Sequence, residues 1–231
     1  MSVIKLSEAA IKARLLTLLR DEGALPKNAV VANEFCLGNL SFRADLAVLS
    51  DSFIGIEIKS ELDSLRRLAD QTRGYLTYFD KVIIVLASKH LQNVDLKDLT
   101  GADVLEVNKE GQFLLRAVAS PRLRIEKKPF SDLMTQAERK WASKELSAAL
   151  AAPNWVARRT QERHSFYQAF HQRFQGTSDN FWNAVGRRVI SEQDLALLSR
   201  YRDARESRAK WYAQQTLAAQ EWLEKAERCF A

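Results

Sequence analysis

The chain has 231 residues, 46% hydrophobic and 28% charged, a balance that excludes a disordered protein and suits one large domain or a core with an appended region. No stretch of roughly 18 apolar residues occurs, which excludes a spanning helix, and two cysteines, Cys36 and Cys229, are too few for a disulfide framework or for a zinc site of their own. Residues 121–231 carry 20 Lys and Arg against 13 Asp and Glu, residues 1–120 sum to −1, and the net charge is +6; an excess gathered in one half favours nucleic acid as a partner.

Met1-Ser2-Val3 passes straight into an amphipathic pattern with no secretory signal, so a cytoplasmic location and no membrane partner are expected. Ser7 to Arg20 has the spacing of a helix, with Ser7 as its N-cap and Asp21-Glu22-Gly23 closing it. Three strand-like segments follow, at about 28–36, 41–49 and 53–59, with turns at Gly38-Asn39 and Asp51-Ser52. Leu62 to Tyr78 has helical spacing with Ser60 as a cap, and Lys81 to Ala87 is a continuous apolar run of the buried parallel type. Strand, helix and strand over 53–87 make a βαβ unit. Segments 104–107 and 113–118, joined by Asn108 to Gly111, read as a hairpin.

Pro121 to Pro129 is a basic connector, after which strand signals vanish. Helices are expected at about 131–150, 155–174 and 179–187, and a last one from Ser191-x-x-Asp194 to about residue 228. The organisation expected is a core over 1–120, a connector over 121–130 and a basic helical region over 131–231. A final helix of that length suggests a homodimer or a protein partner engaged through this region.

The chemistry concentrates in Arg43-Ala44-Asp45-Leu46-Ala47 and Ile54-Gly55-Ile56-Glu57-Ile58-Lys59-Ser60. Asp45, Glu57 and Lys59 interrupt runs that otherwise read as buried strand, where a charge is costly unless paired or bound to a metal. Alternation places Glu57 and Lys59 on one face and Ile56 and Ile58 on the other. With Asp45 turned toward them, two acids and a lysine converge in the layout of a metal-dependent phosphodiester-cleaving site. Asp45, Glu57 and the Ile58 carbonyl offer hard oxygens suited to Mg2+ or Mn2+, and Lys59 is placed to orient water and stabilise negative charge. The plainer reading is a wet pair of edge strands with Glu57 and Lys59 as ordinary partners.

These residues resemble the PD-(D/E)xK nuclease superfamily over about residues 5–120, in the order helix, three-strand meander, helix, strand. Gln71-x-x-x-Tyr75 is similar to an element of its exonuclease-like branches, in which the glutamine borders the metal site. Asn33-Glu34-Phe35, the Asp45 and Lys59 motifs and Leu65-Arg66-Arg67-Leu68 resemble small predicted nucleases of bacteria and their mobile elements. The resemblance implies a restriction-endonuclease-like α/β core, a mixed sheet flanked by helices, with an all-helical C-terminal region. It also implies Mg2+-dependent cleavage of DNA, with RNA left open, and Gln71 and Glu34 as secondary members; Ala44 stands where the family often has proline. Glu34 as a metal ligand is weighed against a salt bridge to Arg43.

Arg66 and Arg67 offer phosphate contacts or a solvated helix face. Arg158, Arg159, Arg187 and Arg188, among the aromatics of 155–188, suit a strand-holding surface or the outside of a helical bundle. His90 follows the 81–87 strand at its carboxyl end, and His164 and His171 lie among aromatics that read as a core stripe. Two rival functions stay open: a catalytically silent nucleic-acid-binding or adaptor protein, and a nuclease active only with a partner.

Overall fold

The computed structural model describes residues 6–38, 42–120, 125–150 and 154–199. Helix α1 spans Glu8–Asp21, with the Ser7 side chain accepting from the Ala10 N–H as expected of its cap. Strands β1 (Val30–Cys36), β2 (Arg43–Leu49) and β3 (Phe53–Lys59) form an antiparallel meander. Helix α2 (Leu68–Tyr78) leads to β4 (Lys81–Ala87), parallel to β3. Strand β5 (Asp103–Val107) adds in parallel, and β6 (Phe113–Ala117) closes as a hairpin on β5. The six strands stand in sequence order in one mixed sheet. The chain beyond it is helical among the described residues: short 3-10 turns, α3 (Gln136–Trp141), α4 (Ser143–Leu150) and α5 (Trp155–Val185).

Alternation sorts the strand side chains into two apolar layers. On one, Val30, Ala32, Leu49, Phe53, Val82 and Ile84 meet Tyr75 of α2, Phe79 just past its end, and Phe166, Phe170 and Phe174 of α5. On the other, Val31, Val48, Ile54, Ile56, Ile83 and Val85 meet Ile11, Leu15 and Leu16 of α1, then Phe181 and Val185 from the far end of α5. Helix α5 thus serves both layers, passing the β1 margin on the way. There the buried Ser178 hydroxyl accepts from the Val31 N–H at 2.8 Å and donates to the Phe174 carbonyl, and the Trp182 indole donates to the Ala29 carbonyl at 2.8 Å.

Four sequence expectations change. The boundary at residue 120 is not a division of the described residues: those up to Leu198 form one compact unit, because the α5 phenylalanines complete the core of the sheet. The break expected between residues 174 and 179 is absent, since Ser178 returns its hydroxyl to the carbonyl four residues back and the helix runs on for 31 residues. Helix α2 begins at Leu68 rather than Leu62, because Asp63 turns back to take the Ser60 N–H and hydroxyl at 2.7 and 2.6 Å, a local bond that competes with a helix. The 131–150 helix is split: a Thr135–Glu138 capping box starts α3 late, and α4 restarts at Ser143.

The Ser191-x-x-Asp194 cap opens a short 3-10 turn, Glu192–Leu198, in which Asp194 accepts from Ser191 N–H and is gripped by Arg188. The helix expected to reach residue 228 and Cys229 lie outside the described residues, as do Asn39 and part of the basic connector. His164 and His171 are exposed and bond to Gln168 and Gln175, while the neighbouring phenylalanines take the core.

Gly55, in the middle of β3, packs against the fully buried Phe79 ring, which a Cβ would overlap. Gly55→Ala is expected to cost about 2–3 kcal/mol, an overpacking penalty, read as a melting point lowered by several degrees; an unchanged melting point would show that the Phe79 ring has room to move.

Candidate active site

The meander loosens where the charged residues sit. In the β1–β2 ladder the rungs Asn33–Leu46 and Phe35–Ala44 are regular, and Glu34 and Asp45 stand between them. Glu34 has φ 60, the left-handed region that costs a non-glycine residue energy. Parity breaks at the same place: Val30, Ala32 and Phe35 share one layer, as do Ala44, Ala47 and Leu49. The β2–β3 ladder ends at Leu46–Ile56. Past that rung the Ile58 N–H is taken by Asp45 Oδ2 at 2.6 Å, so a carboxylate stands where a strand carbonyl would.

A cleft of about 520 Å³ opens over this seam, lined by Glu8, Glu34, Arg43, Asp45, Glu57, Ile58, Lys59, Arg67 and Gln71 among others. Asp45, Glu57, Lys59 and Gln71, from three elements and 27 positions of sequence, therefore share one cavity. Glu57 is 2% exposed and carries three donors: Lys59 Nζ and Gln71 Nε2, each 2.5 Å from Oε1, and the Tyr75 hydroxyl on Oε2. Tyr75 also bonds to the Arg43 carbonyl at 2.8 Å, tying α2 to β2. Behind Lys59, the buried His90 ring contacts the Ser60 carbonyl at 2.7 Å.

Sequence reasoning missed Lys12. Its side chain, 4% exposed, joins Glu8 at 2.7 Å and Glu34 at 2.6 Å. The signal was available: Lys12 falls in the stripe Lys12, Leu15, Leu16, Leu19 that α1 turns to the sheet, with Glu8 four residues before it. Glu34 makes the salt bridge to Arg43 that was weighed against its ligand role, Nε to Oε2 at 2.9 Å. Its carboxylate is thus held at both oxygens, yet Glu8, Glu34 and Asp45 each present an oxygen within 4.8 Å of the others.

The electrostatics follow from burial. Desolvation, then the charge of Glu57, pushes the Asp45 carboxyl up to about 8, with Lys12 opposing. Burial works to lower the Lys12 ammonium, but its bonds to Glu34 and Glu8 outweigh this and hold it above the ordinary lysine value. The Tyr75 phenol is raised far above its normal range by burial and then by Glu57. A carboxyl raised on folding contributes stability that is present below its unfolded value near 3.8 and lost as pH climbs through about 8. Asp45→Asn, which keeps an oxygen for Ile58 and cannot ionise, should therefore gain on wild type between pH 5 and 8.5 in chelator by about 1–3 kcal/mol. Melting curves that stay parallel over that range would contradict this account.

The residues present fit a hard divalent cation. Gln71 is 6% exposed and its Oε1 has no hydrogen-bond partner among the described residues, an orphaned acceptor in a cleft of carboxylates. Asp45 has no cationic contact among the described residues, and Asp45, Glu57 and the Ile58 backbone border the same space. Of the arginines expected at nucleic acid, only Arg67 lines the cleft, with Arg66 exposed beside it. Arg159 donates to the Lys128 carbonyl and covers the Phe130 ring, and Arg188 is committed to Asp194. Arg158 and Arg187 are exposed, Arg187 on a separate depression beside Trp182. No helix among the described residues is long and apolar enough to cross a membrane.

A family model described as bacteriophage P4 protein cII matches residues 1–199. Protein cII of Enterobacteria phage P4 is 28% identical over 225 residues, covering 89% of this chain and 83% of that protein. Among solved structures, a protein of unknown function from Silicibacter pomeroyi aligns with a TM-score of 0.40 and 18% identity, over 77% of this chain and 95% of its own.

Proposed function

The chain belongs to the bacteriophage P4 protein cII family. We propose, from the cleft residues themselves, that it is a metal-dependent nuclease of the PD-(D/E)xK type, cutting DNA phosphodiester bonds. One observation carries the reading: Asp45, Glu57, Lys59 and Gln71 line a single cleft where β2 and β3 part. The order α1, β1–β3, α2, β4 supports a restriction-endonuclease-like core.

In this reading Asp45, Glu57 and the Ile58 carbonyl are the groups that would hold Mg2+ or Mn2+. The chemistry the ion supplies, when bound, is charge stabilisation at phosphorus and acidification of water. Lys59 orients the attacking water and meets the negative charge that develops on the phosphate oxygens. Gln71 and Tyr75 fix the Glu57 carboxylate so that Lys59 has one resting place, and His90 braces the Ser60 turn behind it. Arg67, at the cleft, and Arg66 beside it meet the phosphates flanking the scissile bond. RNA is open to the same chemistry.

The silent nucleic-acid-binding or adaptor reading has one observation in its favour: both oxygens of Glu57 are already occupied by protein donors. Incubating plasmid and linear DNA with the chain and Mg2+ separates the two. Cleavage that chelator abolishes supports the nuclease; DNA binding with no cleavage at any divalent concentration supports the silent protein. Cleavage that appears only on adding a partner fraction would mark the third reading, a nuclease completed by another protein.

A further inference from the structure

The acids of the cleft are answered by fixed cations in a pattern that limits how many ions it takes. An ammonium has three hydrogens, and Lys12 spends all of them inside the protein: on Glu8 Oε1 at 2.7 Å, on Glu34 Oε1 at 2.6 Å and on Asn33 Oδ1 at 3.1 Å. Oxygens from three residues gathered around one positive charge also describe how proteins surround hard metal ions. Arg43 takes the other oxygen of Glu34, and Lys59 takes Glu57. Of these four carboxylates only Asp45 has no cationic contact among the described residues. Gln71 Oε1, on a side chain more than nine-tenths buried and lining the same cleft, is an acceptor with no donor among the described residues.

We propose that the Lys12 ammonium stands in for a second metal ion, so that the cleft binds one divalent cation, beside Asp45, and Glu8 and Glu34 act as the counter-charge of Lys12. The inference rests on the nuclease reading and concerns the number of ions that site uses. A second divalent ion at Glu8 and Glu34 would have to lie against an ammonium of like charge or expel it from its buried place, and either raises the free energy of binding. Lys12 also helps to hold Glu34 in its left-handed backbone: both its oxygens are tied, one to α1 and one to Arg43. With every Lys12 hydrogen engaged, Lys59 is left as the ammonium that serves the phosphate.

Electron paramagnetic resonance of Mn2+ titrated into the full chain counts the ions directly, without cleavage as the readout. Wild type is expected to bind one ion per chain, Lys12→Met two, and Lys12→Met with Glu8→Gln one again. Two ions in wild type, or one in a folded Lys12→Met, overturn the proposal while leaving the nuclease reading intact. Should Lys12→Met fail to fold, Glu8→Gln alone decides: it should change Mn2+ affinity less than about threefold, since Glu8 serves Lys12, and a tenfold loss would make Glu8 a ligand. No bound ion in wild type overturns the nuclease reading itself.

Discussion

Alanine at Asp45 is expected to lower Mg2+-dependent DNA cleavage by about 10³-fold or more, and alanine at Lys59 by about 10²- to 10³-fold, the scale at which single electrostatic contributors act in hydrolytic sites. The two losses differ in kind. Asp45 is the cleft carboxylate with no cationic contact among the described residues and a raised pKa, so its removal should weaken the ion's hold, and Mn2+ affinity should fall with the rate. Among the described residues Lys59 touches Glu57 and no other acid, so its loss should leave Mn2+ bound about as tightly while the rate collapses. Cleavage also depends on pH through Asp45: below about 8 the ion competes with a proton, so cleavage at limiting Mg2+ should rise from pH 6 toward 8 and then flatten. Variants that melt like wild type and cut as fast would remove both residues from the chemistry.

The second large effect belongs to α5. Phe170 is fully buried, with ring centroids 5.4 Å from Phe35 and from Phe53, 5.8 Å from Phe166 and 4.7 Å from Phe174. Phe170→Ala removes a ring shared between β1, β3 and the helix, and is expected to cost about 3–5 kcal/mol. Set against a total stability of roughly 5–15 kcal/mol, that brings the sheet near unfolding at moderate temperature. Unfolding should be one transition, with the sheet and α5 lost together. If the helical half were a separate appendage, the variant would melt early while the sheet signal and DNA cleavage survived; that outcome would restore a boundary near residue 120.

The sheet was legible where one signal dominated. Lys81 to Ala87 has no reading but a buried strand, and Glu57 and Lys59 announce themselves as charges among isoleucines. What escaped depended on residues far apart in sequence. Gly176-Thr177-Ser178 looks like a helix break unless Val31, 147 positions away, is known to wait for the serine hydroxyl. Lys12 looks like a surface partner of Glu8 until Glu34 and Asn33 arrive from β1. The left-handed backbone at Glu34 has no local cause, since neither Asn33 nor Phe35 imposes it; the charges on either side do. Asp63 was the local competitor overlooked, a side chain able to turn back on Ser60 and hold off the helix.

With the Val31 backbone answered by Ser178, strand addition at that margin of the sheet has little to offer an incoming chain. Among the described strands the other margin of the sheet is β6, where Leu114 and Leu115 stand exposed, and two copies joining edge to edge through these strands would meet there. An identical edge on each copy pairs about a two-fold axis and closes at two, so the helix that completes the core also guards the molecule against growing into fibres.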